Sequence, residues 1–318
     1  MCYSAQLHEQ YRRYLRETGT TLDFEAFVKL YGHRPQGSAL RRPRAMDALF
    51  SDPQTDAERQ VQALIAADDK RQIEEWQQEL FRQRKRLADA ERQLGVKATK
   101  KAENDARIAG DKVRRLTAKL RSIQSSELSV ADARIYPMWY APVIVWEGGQ
   151  RVVKPMRYHC RPAGKPASYD TRYPGCYNAR RDNLEGFWKQ QFGHHHGVLL
   201  VNAFYENVSR HQVEGRELAP GEAEQNVVLE FWPRPQQIMH VACIWSRWVG
   251  SDGSELLSFA AITDEPPSEV AAAGHDRCII PVKPENLDAW FQPGGDLQGA
   301  YRVLDDRERP YYEHRAAA

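Results

Sequence analysis

Apolar residues recur at helical spacing through the first part of the chain. In the longest such stretch they alternate three and four positions apart, from Ile73 to Leu94 and again from Ala102 to Ile123, with Gly95 and a lysine-rich turn between. Heptad spacing on both sides of a turn predicts an antiparallel helical (coiled-coil) hairpin at about residues 56–124. The same spacing predicts two shorter helices, at Glu9–Arg16 and Asp23–Tyr31.

From about Ala131 the pattern changes to short apolar runs rich in proline, aromatic and β-branched residues. The first two runs flank Glu-Gly-Gly-Gln at residues 147–150, a turn typical of a β-hairpin. This half is expected to form a mostly antiparallel sheet or partly closed barrel, so the predicted class is α+β. The predicted strands are Tyr140–Trp146, Arg151–Met156, Val198–Tyr205, Val227–Trp232, Ile238–Trp245, Leu256–Thr263 and Arg277–Val282, followed by a helix at Pro284–Phe291.

Length and composition narrow the class of protein. The 318 residues suffice for one large domain or two ordinary ones, and the net charge of +2 means that a polyanion must meet a local basic patch. No apolar run approaches the ~20 residues of a membrane helix, and no signal peptide is recognisable. Five cysteines without a CxxC pair suit a reducing compartment, so the expected location is the cytoplasm.

The second arm of the predicted hairpin is basic outside its apolar seam. DNA or a protein partner is one reading of that face, and a solvated coiled-coil surface is the other. The residues concerned are Lys97, Lys100, Lys101, Arg107, Lys112, Arg114, Arg115, Lys119 and Arg121.

The start of the chain carries unusual chemistry if Met1 is removed, as is usual before a small residue. Cys2 would then present an α-amine and a thiol, with pKa values near ~8 and ~8.5, so that both are partly deprotonated at neutral pH. Such a 1,2-aminothiol captures an aldehyde by imine formation and thiol attack, which closes a thiazolidine ring. The competing reading is that Cys2 is an accident of translation start.

Three polar residues in the β-rich half match the needs of that chemistry. Asn178 follows a Gly-Cys turn, Glu206 ends an apolar run, and His275 precedes a predicted strand. Each alone reads as an ordinary turn asparagine, strand-end carboxylate or loop histidine. Imine formation requires a general acid and a general base near neutral pH, and a buried glutamate beside a histidine supplies both.

Together these residues resemble a known family. Met1-Cys2, Asn178-Ala179-Arg180, Phe204-Tyr205-Glu206 and His275-Asp276-Arg277 stand in the order found in the SRAP (SOS response-associated peptidase) family. The segment that begins Tyr136-Pro-Met-Trp is similar to that family's early proline-bearing strand. The resemblance covers Cys2 and roughly residues 131–293.

The resemblance implies a compact α+β fold around a β-barrel-like core and covalent capture of abasic sites in single-stranded DNA. Cys2 would form the thiazolidine, and Asn178 would hold the sugar or the terminal amine. Glu206 would shuttle protons and serve any peptide-cleaving activity, while His275 would protonate the sugar ring oxygen as the ring opens. A DNA-damage function implies a cytoplasmic, nucleoid-associated protein.

The resemblance also implies DNA contacts by five further residues. Arg180 would pair with a backbone phosphate, and Arg181 and Arg157 are expected to contact DNA as well. Trp139 and Trp188 would stack on bases, although both are also ordinary core residues by composition. No cofactor is implied. No metal is expected either, because three consecutive histidines at 194–196 cannot all face one ion from a strand.

The predicted organisation has four parts: an N-terminal catalytic segment at 1–7, a helical insertion at 8–130, the SRAP-like core at 131–304 and a tail at 305–318. The chain departs from the family pattern at three motifs. Cys2-Tyr3-Ser4 replaces the usual Cys-Gly-Arg, Phe204-Tyr205-Glu206-Asn207 replaces Trp-Phe-Glu-Trp, and Arg157-Tyr158-His159 replaces Arg-Trp-Gly.

Two other functions fit the same sequence. An N-terminal nucleophile amidohydrolase or peptidase would use the α-amine of Cys2 as the base for its own thiol, and would turn over instead of staying bonded to its substrate. A non-catalytic DNA-binding or protein-binding module would use the helical hairpin instead.

Overall fold

A computed structural model of the protein describes residues 4–7, 10–32, 40–125 and 127–317. Within these ranges the strands are β1 Ser4–Leu7, β2 Thr21–Leu22, β3 Arg134–Ile135, β4 Tyr140–Glu147, β5 Gln150–Tyr158, β6 Asn178–Arg180, β7 His196–Ser209, β8 Asn226–Arg234, β9 Met239–Val249, β10 Glu255–Asp264, β11 Cys278–Ile279 and β12 Tyr311–Ala316. The α-helices are α1 Tyr11–Thr18, α2 Phe24–Gly32, α3 Arg44–Asp47, α4 Asp56–Val96, α5 Lys100–Gln124, α6 Val130–Ala133, α7 Tyr169–Arg172, α8 Arg210–Val213, α9 Ser268–Ala272, α10 Leu287–Phe291 and α11 Leu297–Asp305. The predicted α+β class is confirmed.

Five strands close into a barrel. Antiparallel pairs join β5 to β4, β4 to β7, β7 to β9 and β9 to β10, and a parallel pair between β10 and β5 completes the ring. The ring is tight beside Gly197, where a Cβ atom would lie 3.0 Å from the Ile144 carbonyl oxygen. The predicted β-barrel-like core is therefore confirmed.

The barrel strands read as nearly continuous apolar runs because both faces of the sheet are buried. Along β4, Val143 and Val145 pack into one hydrophobic cluster and Ile144 into the other. Successive residues of β7, β9 and β10 alternate between the two clusters in the same way. Because side chains alternate with a period of two, the position of a polar residue along one of these strands determines which face of the sheet it occupies.

Strand β7 is 14 residues long and extends beyond the barrel. Its first half pairs with β4 and β9, and its second half pairs with β8 on one side and β1 on the other. Strand β3 joins β1, and β12 joins β8, so the same 12-stranded sheet continues beyond the barrel. The sequence pattern did not predict β1, β3 or β12 as strands.

The first part of the predicted insertion packs against the barrel. Strand β2 pairs in parallel with β5, and Phe27, Phe50 and Val61 belong to the same buried cluster as the barrel residue Val153. Helix α1 ends at Thr18, two residues beyond the predicted Arg16, because Gly19 adopts a left-handed conformation with φ of 64°.

The remainder of the insertion is the predicted helical hairpin. Side chains of Thr55 and Thr99 accept hydrogen bonds from backbone N–H groups in the first turns of α4 and α5, which explains where these helices begin. Helix α4 has 41 residues. At ~1.5 Å per residue it is about 60 Å long. It starts earlier than the predicted heptad seam because Val61 and Ile65 pack into the core. No described helix has the length and apolar character that a bilayer span requires.

Candidate active site

A buried carboxyl and a buried imidazole meet where β7 leaves the barrel. Glu206 lies in the second half of β7 opposite Leu229 of β8, and its side chain is 0% exposed. His275 lies in the loop between α9 and β11 and is 7% exposed. The His275 Nε2 atom is 3.1 Å from Glu206 Oε2.

The loop geometry fixes the orientation of the histidine ring. His275 Nδ1 lies 2.8 Å from the Arg277 carbonyl oxygen and 3.3 Å from the Arg277 backbone nitrogen, and Nε2 faces Glu206. Gly274 has φ of 92°, a conformation that favours glycine, and so allows the turn directly before the histidine. Burial lowers the pKa of the His275 imidazole. The two side chains provide a proton donor and a proton acceptor in direct contact, which is the arrangement that general acid–base catalysis uses.

The beginning of β1 lies beside this pair. Ser4 pairs with Tyr205, the residue before Glu206, and Ala5 pairs with Phe204. The Ser4 hydroxyl accepts a 2.9 Å hydrogen bond from Arg134 Nε. Cys2, the predicted nucleophile, and the adjacent Tyr3 lie outside the described residues.

Aromatic and basic side chains continue from this point across the part of the sheet that lies beyond the barrel. The Arg134 guanidinium lies over the Tyr205 ring at 3.7 Å from its centroid and over the Tyr136 ring at 5.0 Å. Tyr136 in turn contacts Trp139, with ring centroids 5.2 Å apart. Sequence reasoning selected Trp139 but missed Arg134 and Tyr136. The Arg-Ile-Tyr alternation directly before Pro137 was the available signal.

Asn178 is buried at the start of β6, which runs parallel to β10. Tyr158 donates a hydrogen bond of 3.4 Å to the Asn178 side-chain oxygen. At the other end of β6, the neighbouring Asp182 and then Asp276 raise the pKa of Arg180. Since Asp276 follows His275, the end of β6 and the histidine loop lie near each other.

The residues predicted to bind DNA differ in their availability. Arg180 is half-exposed and pairs with Asp182 at 2.6 Å, and Trp139 is partly exposed. Arg181 contacts Asp264 at 3.1 Å and also pairs with Asp305. The guanidinium of Arg181 is therefore already shared between two carboxylates.

Two of the predicted DNA contacts occupy interior positions. Trp188 is 3% exposed and packs in the main hydrophobic cluster, so it has no free face for a base. Arg157 is buried on β5, where its Nη1 atom lies 2.8 Å from Asp170. The local sequence pattern around each residue does not distinguish an exposed side chain from a buried one, and tertiary packing decides the matter here.

The other cysteines are poor nucleophiles. Cys160, Cys176, Cys243 and Cys278 are buried free thiols. Burial raises the pKa of Cys176 to about 11 and those of the other three further, so thiolate is scarce at neutral pH.

Other features of the described chain offer no competing centre. Within the described ranges no group of three His, Cys, Asp or Glu side chains could hold a metal ion. His196 is buried, with its ring 3.9 Å from that of Trp290. Two open depressions, of about 400 and 500 Å³, lie around α11 and the segment after it, and the described residues lining them do not include Glu206 or His275.

Comparisons with known proteins give one matching family and several similar solved structures. The sequence profile of the family described as SOS response associated peptidase (SRAP) matches residues 99–315. A solved protein of Bacteroides thetaiotaomicron is 14% identical over 58% of this chain and 78% of its own, with a TM-score of 0.47. A protein of Bordetella bronchiseptica is 16% identical over 61% of this chain and 90% of its own, with a TM-score of 0.47. A phage-related protein of the same organism is 15% identical over 61% of this chain and 85% of its own, with a TM-score of 0.44. The search of curated proteins found no match.

Proposed function

The chain belongs to the SOS response associated peptidase (SRAP) family, and on that premise we propose that it captures abasic sites in single-stranded DNA through a thiazolidine at Cys2. Family membership supports a role associated with DNA damage. The covalent chemistry, its residues and its DNA substrate are the proposal.

The observation that carries the proposal is the buried pair of Glu206 and His275, 3.1 Å apart, beside the first residue of β1. Cys2 precedes Ser4 by two residues, which span at most ~7 Å, and the proposal requires Cys2 to reach the pair across that length of chain. The four described cysteines are buried and their pKa values are raised, so Cys2 is the thiol that we propose for the attack.

The reaction requires several proton transfers in a fixed order. His275 protonates the ring oxygen of the deoxyribose as the C1′–O4′ bond breaks, and the C1′ hydroxyl releases its proton to solvent water, which leaves the aldehyde. Glu206 takes a proton from the Cys2 ammonium, the free amine adds to C1′, and the carbinolamine loses water to give an imine. The Cys2 sulfur then adds to the imine carbon, and the nitrogen receives the thiol proton. One water molecule is released overall.

Neighbouring residues position the DNA. Asn178, held by Tyr158, donates its amide N–H groups to the sugar or holds the terminal amine. Arg180 is half-exposed and offers a guanidinium fork to a phosphate. Trp139 is partly exposed next to Tyr136 and stacks on a base beside the gap. Arg181 is a weaker candidate because two carboxylates already bind it.

The direct test is incubation with single-stranded DNA that carries one abasic site, followed by denaturing electrophoresis. We expect a retained protein–DNA band from the wild type and none from Cys2→Ala. A well-folded wild type that gives no band would contradict the proposal. Release of product with turnover and no retained band would instead support the N-terminal nucleophile hydrolase.

The free α-amine is tested separately. Intact-mass measurement should give the mass of the chain without Met1, because a retained methionine converts the Cys2 amine into an unreactive amide. A mass that includes Met1 on protein that nevertheless forms the band would require a different nucleophile.

A further inference from the structure

Three aromatic rings cluster on the surface before and after β6. Tyr169 and Tyr173 lie 4.2 Å apart between ring centroids, and each lies 6.1 Å from the Phe187 ring. Tyr173 is 36% exposed, whereas Tyr169 and Phe187 are partly buried against the core. We call these three residues the aromatic platform. The proton-transfer chemistry at Glu206 and His275 makes no use of it.

Two exposed cations accompany the platform. Lys165 Nζ lies 5.8 Å from the centroid of the Tyr169 ring, and the Arg172 guanidinium lies 5.6 Å from that of Tyr173. Exposed rings beside cations are the combination by which proteins bind single-stranded nucleic acid, because bases stack on the rings while the cations meet phosphates.

A buried ion cluster fixes the segment that carries the platform. Asp170 lies between Tyr169 and Tyr173 and binds Arg157 Nη1 at 2.8 Å and Arg161 Nε at 3.1 Å. Burial opposes ionisation of Asp170, but hydrogen bonds from the two arginines hold its pKa below the usual value. Arg157 is part of barrel strand β5, so the barrel positions these rings through an ion pair.

The platform lies next to the candidate active site. The backbone N–H of Cys176 donates to the Tyr173 carbonyl, and that of Asn178 donates to Gly175, so the platform leads directly into β6. Strand β6 has three residues and ends at Arg180, close to Asp276 of the histidine loop. At ~3.3 Å per residue, about 7 Å separates the first and the last Cα atom of β6.

From this arrangement we propose that the aromatic platform binds the single-stranded DNA that flanks the reacting nucleotide, with a base stacked on Tyr173 and phosphates beside Lys165 and Arg172. The inference rests on the proposed function for the identity of the DNA. It adds a second contact surface, which holds undamaged nucleotides on one side of the abasic site.

The test uses full-length protein with Cys2→Ala, so that no covalent bond contributes. Fluorescence anisotropy measures its affinity for labelled, undamaged single-stranded DNA. We expect Tyr173→Ala to weaken binding about tenfold, within the range for loss of one stacked base, and Tyr173→Phe to bind like the parent. We expect Arg172→Gln to reduce the dependence of affinity on salt concentration.

A matched control is Tyr311→Ala, which removes a tyrosine that is 59% exposed on β12. It should bind like the parent. Equal affinities for Tyr173→Ala, Arg172→Gln and Tyr311→Ala would overturn the proposal, as would absence of single-stranded DNA binding by the parent. Loss of binding by both tyrosine-to-alanine variants alike would also overturn it.

The location of the platform gives a second readout. Oligonucleotides shortened from one end should lose the difference between the parent and Tyr173→Ala, and those shortened from the other end should retain it. Failure of the platform and failure of the proposed function are distinguishable. Wild-type crosslinking with unaltered Tyr173→Ala affinity removes only the platform, whereas platform-dependent binding without wild-type crosslinking removes only the thiazolidine chemistry.

Discussion

The barrel body holds reactive groups in its interior, whereas the distal hairpin carries its charge on the outside. Glu206 and His275 are both buried and in contact in the body. Residues 79–121 of the hairpin contain 14 Lys and Arg and six Asp and Glu, a net charge of +8. Since the whole chain has a net charge of +2, the rest of it carries −6.

The contrast shows that charge alone is a poor guide to where chemistry takes place. Several hairpin charges form exposed pairs such as Arg92 with Asp89, and each such pair contributes little to stability. A buried pair has a shifted pKa and a fixed geometry, which is what proton transfer requires. The two regions should therefore respond differently to the same kinds of change.

Removal of the carboxylate in the body should have the largest effect. Glu206→Gln should slow crosslinking by about 10²- to 10⁴-fold, because the amide cannot accept the proton from the terminal amine. Single-turnover formation of the protein–DNA band measures the rate. The control Glu217→Gln changes an exposed carboxylate and should react like the wild type. Equal rates for both variants would exclude Glu206 as the base.

The two regions should also differ in their tolerance of a lost aromatic ring. Trp290 is fully buried and donates a 2.9 Å hydrogen bond to the Gly197 carbonyl, so Trp290→Ala should lower the free energy of unfolding by about 3 to 5 kcal/mol. Phe81 on α4 is 73% exposed, and Phe81→Ala should change the free energy of unfolding by less than about 0.5 kcal/mol. Urea denaturation measures both, and similar losses would contradict the contrast.

Acid should weaken the body through buried histidines. Burial, and for His159 also nearby Arg157, lowers the pKa of His159 to about 4, and burial lowers that of His196 to about 3. Above pH ~6.5 both are neutral in either state. Below it the unfolded chain binds protons first, so the free energy of unfolding should fall by up to about 1.4 kcal/mol per pH unit for each histidine.

The base of the hairpin should respond to pH with the opposite sign. Burial, with Asp47 beside it, raises the pKa of Asp69 to about 6, so its carboxyl is protonated first in the folded protein. The contribution of Asp69 to the free energy of unfolding therefore rises as the pH falls through 6. Residues 56–124 contain no histidine that would oppose this gain. Hydrogen exchange at pH 7 and pH 5 should show a smaller loss of protection at the start of α4 than in β7 and β9. Equal losses would contradict this.

The smallest effect should come from removing the hairpin itself. Deletion of Ile73–Ile123 should change the crosslinking rate by less than about twofold, because α4 and α5 pack mainly against each other. The same band assay measures it. Loss of crosslinking by the folded deletion variant would favour the reading in which the hairpin recruits the DNA or a protein partner.

Sequence periodicity was sufficient for the parts of the fold that are locally determined. The heptad seams predicted α4 and α5, and short apolar runs rich in aromatic and β-branched residues predicted the five barrel strands. Strands β1, β3, β6 and β12 were missed because they are short or polar and are defined by their partners. The segment from residue 305 was assigned to a tail, yet Tyr312 of β12 is buried against Phe204.

The candidate site was accessible from the sequence only through the family resemblance. Glu206 and His275 are 69 positions apart, and strand pairing brings them together, which no local pattern encodes. The same limitation explains the expectation that Arg157 and Trp188 contact DNA, since both residues are interior. The stack of Arg134 on Tyr205 depends on the pairing of β3 with β1 and of β1 with β7.

The central claim is that Cys2 is the bonded residue and that the body supplies its acid and base. Intact-mass spectrometry of the wild-type protein after reaction with abasic single-stranded DNA, followed by peptide mapping, tests it most directly. The account predicts one adduct per chain, equal to protein without Met1 plus DNA minus one water molecule, on the peptide that begins at Cys2. An adduct on any other residue, or unmodified protein alone, would contradict it.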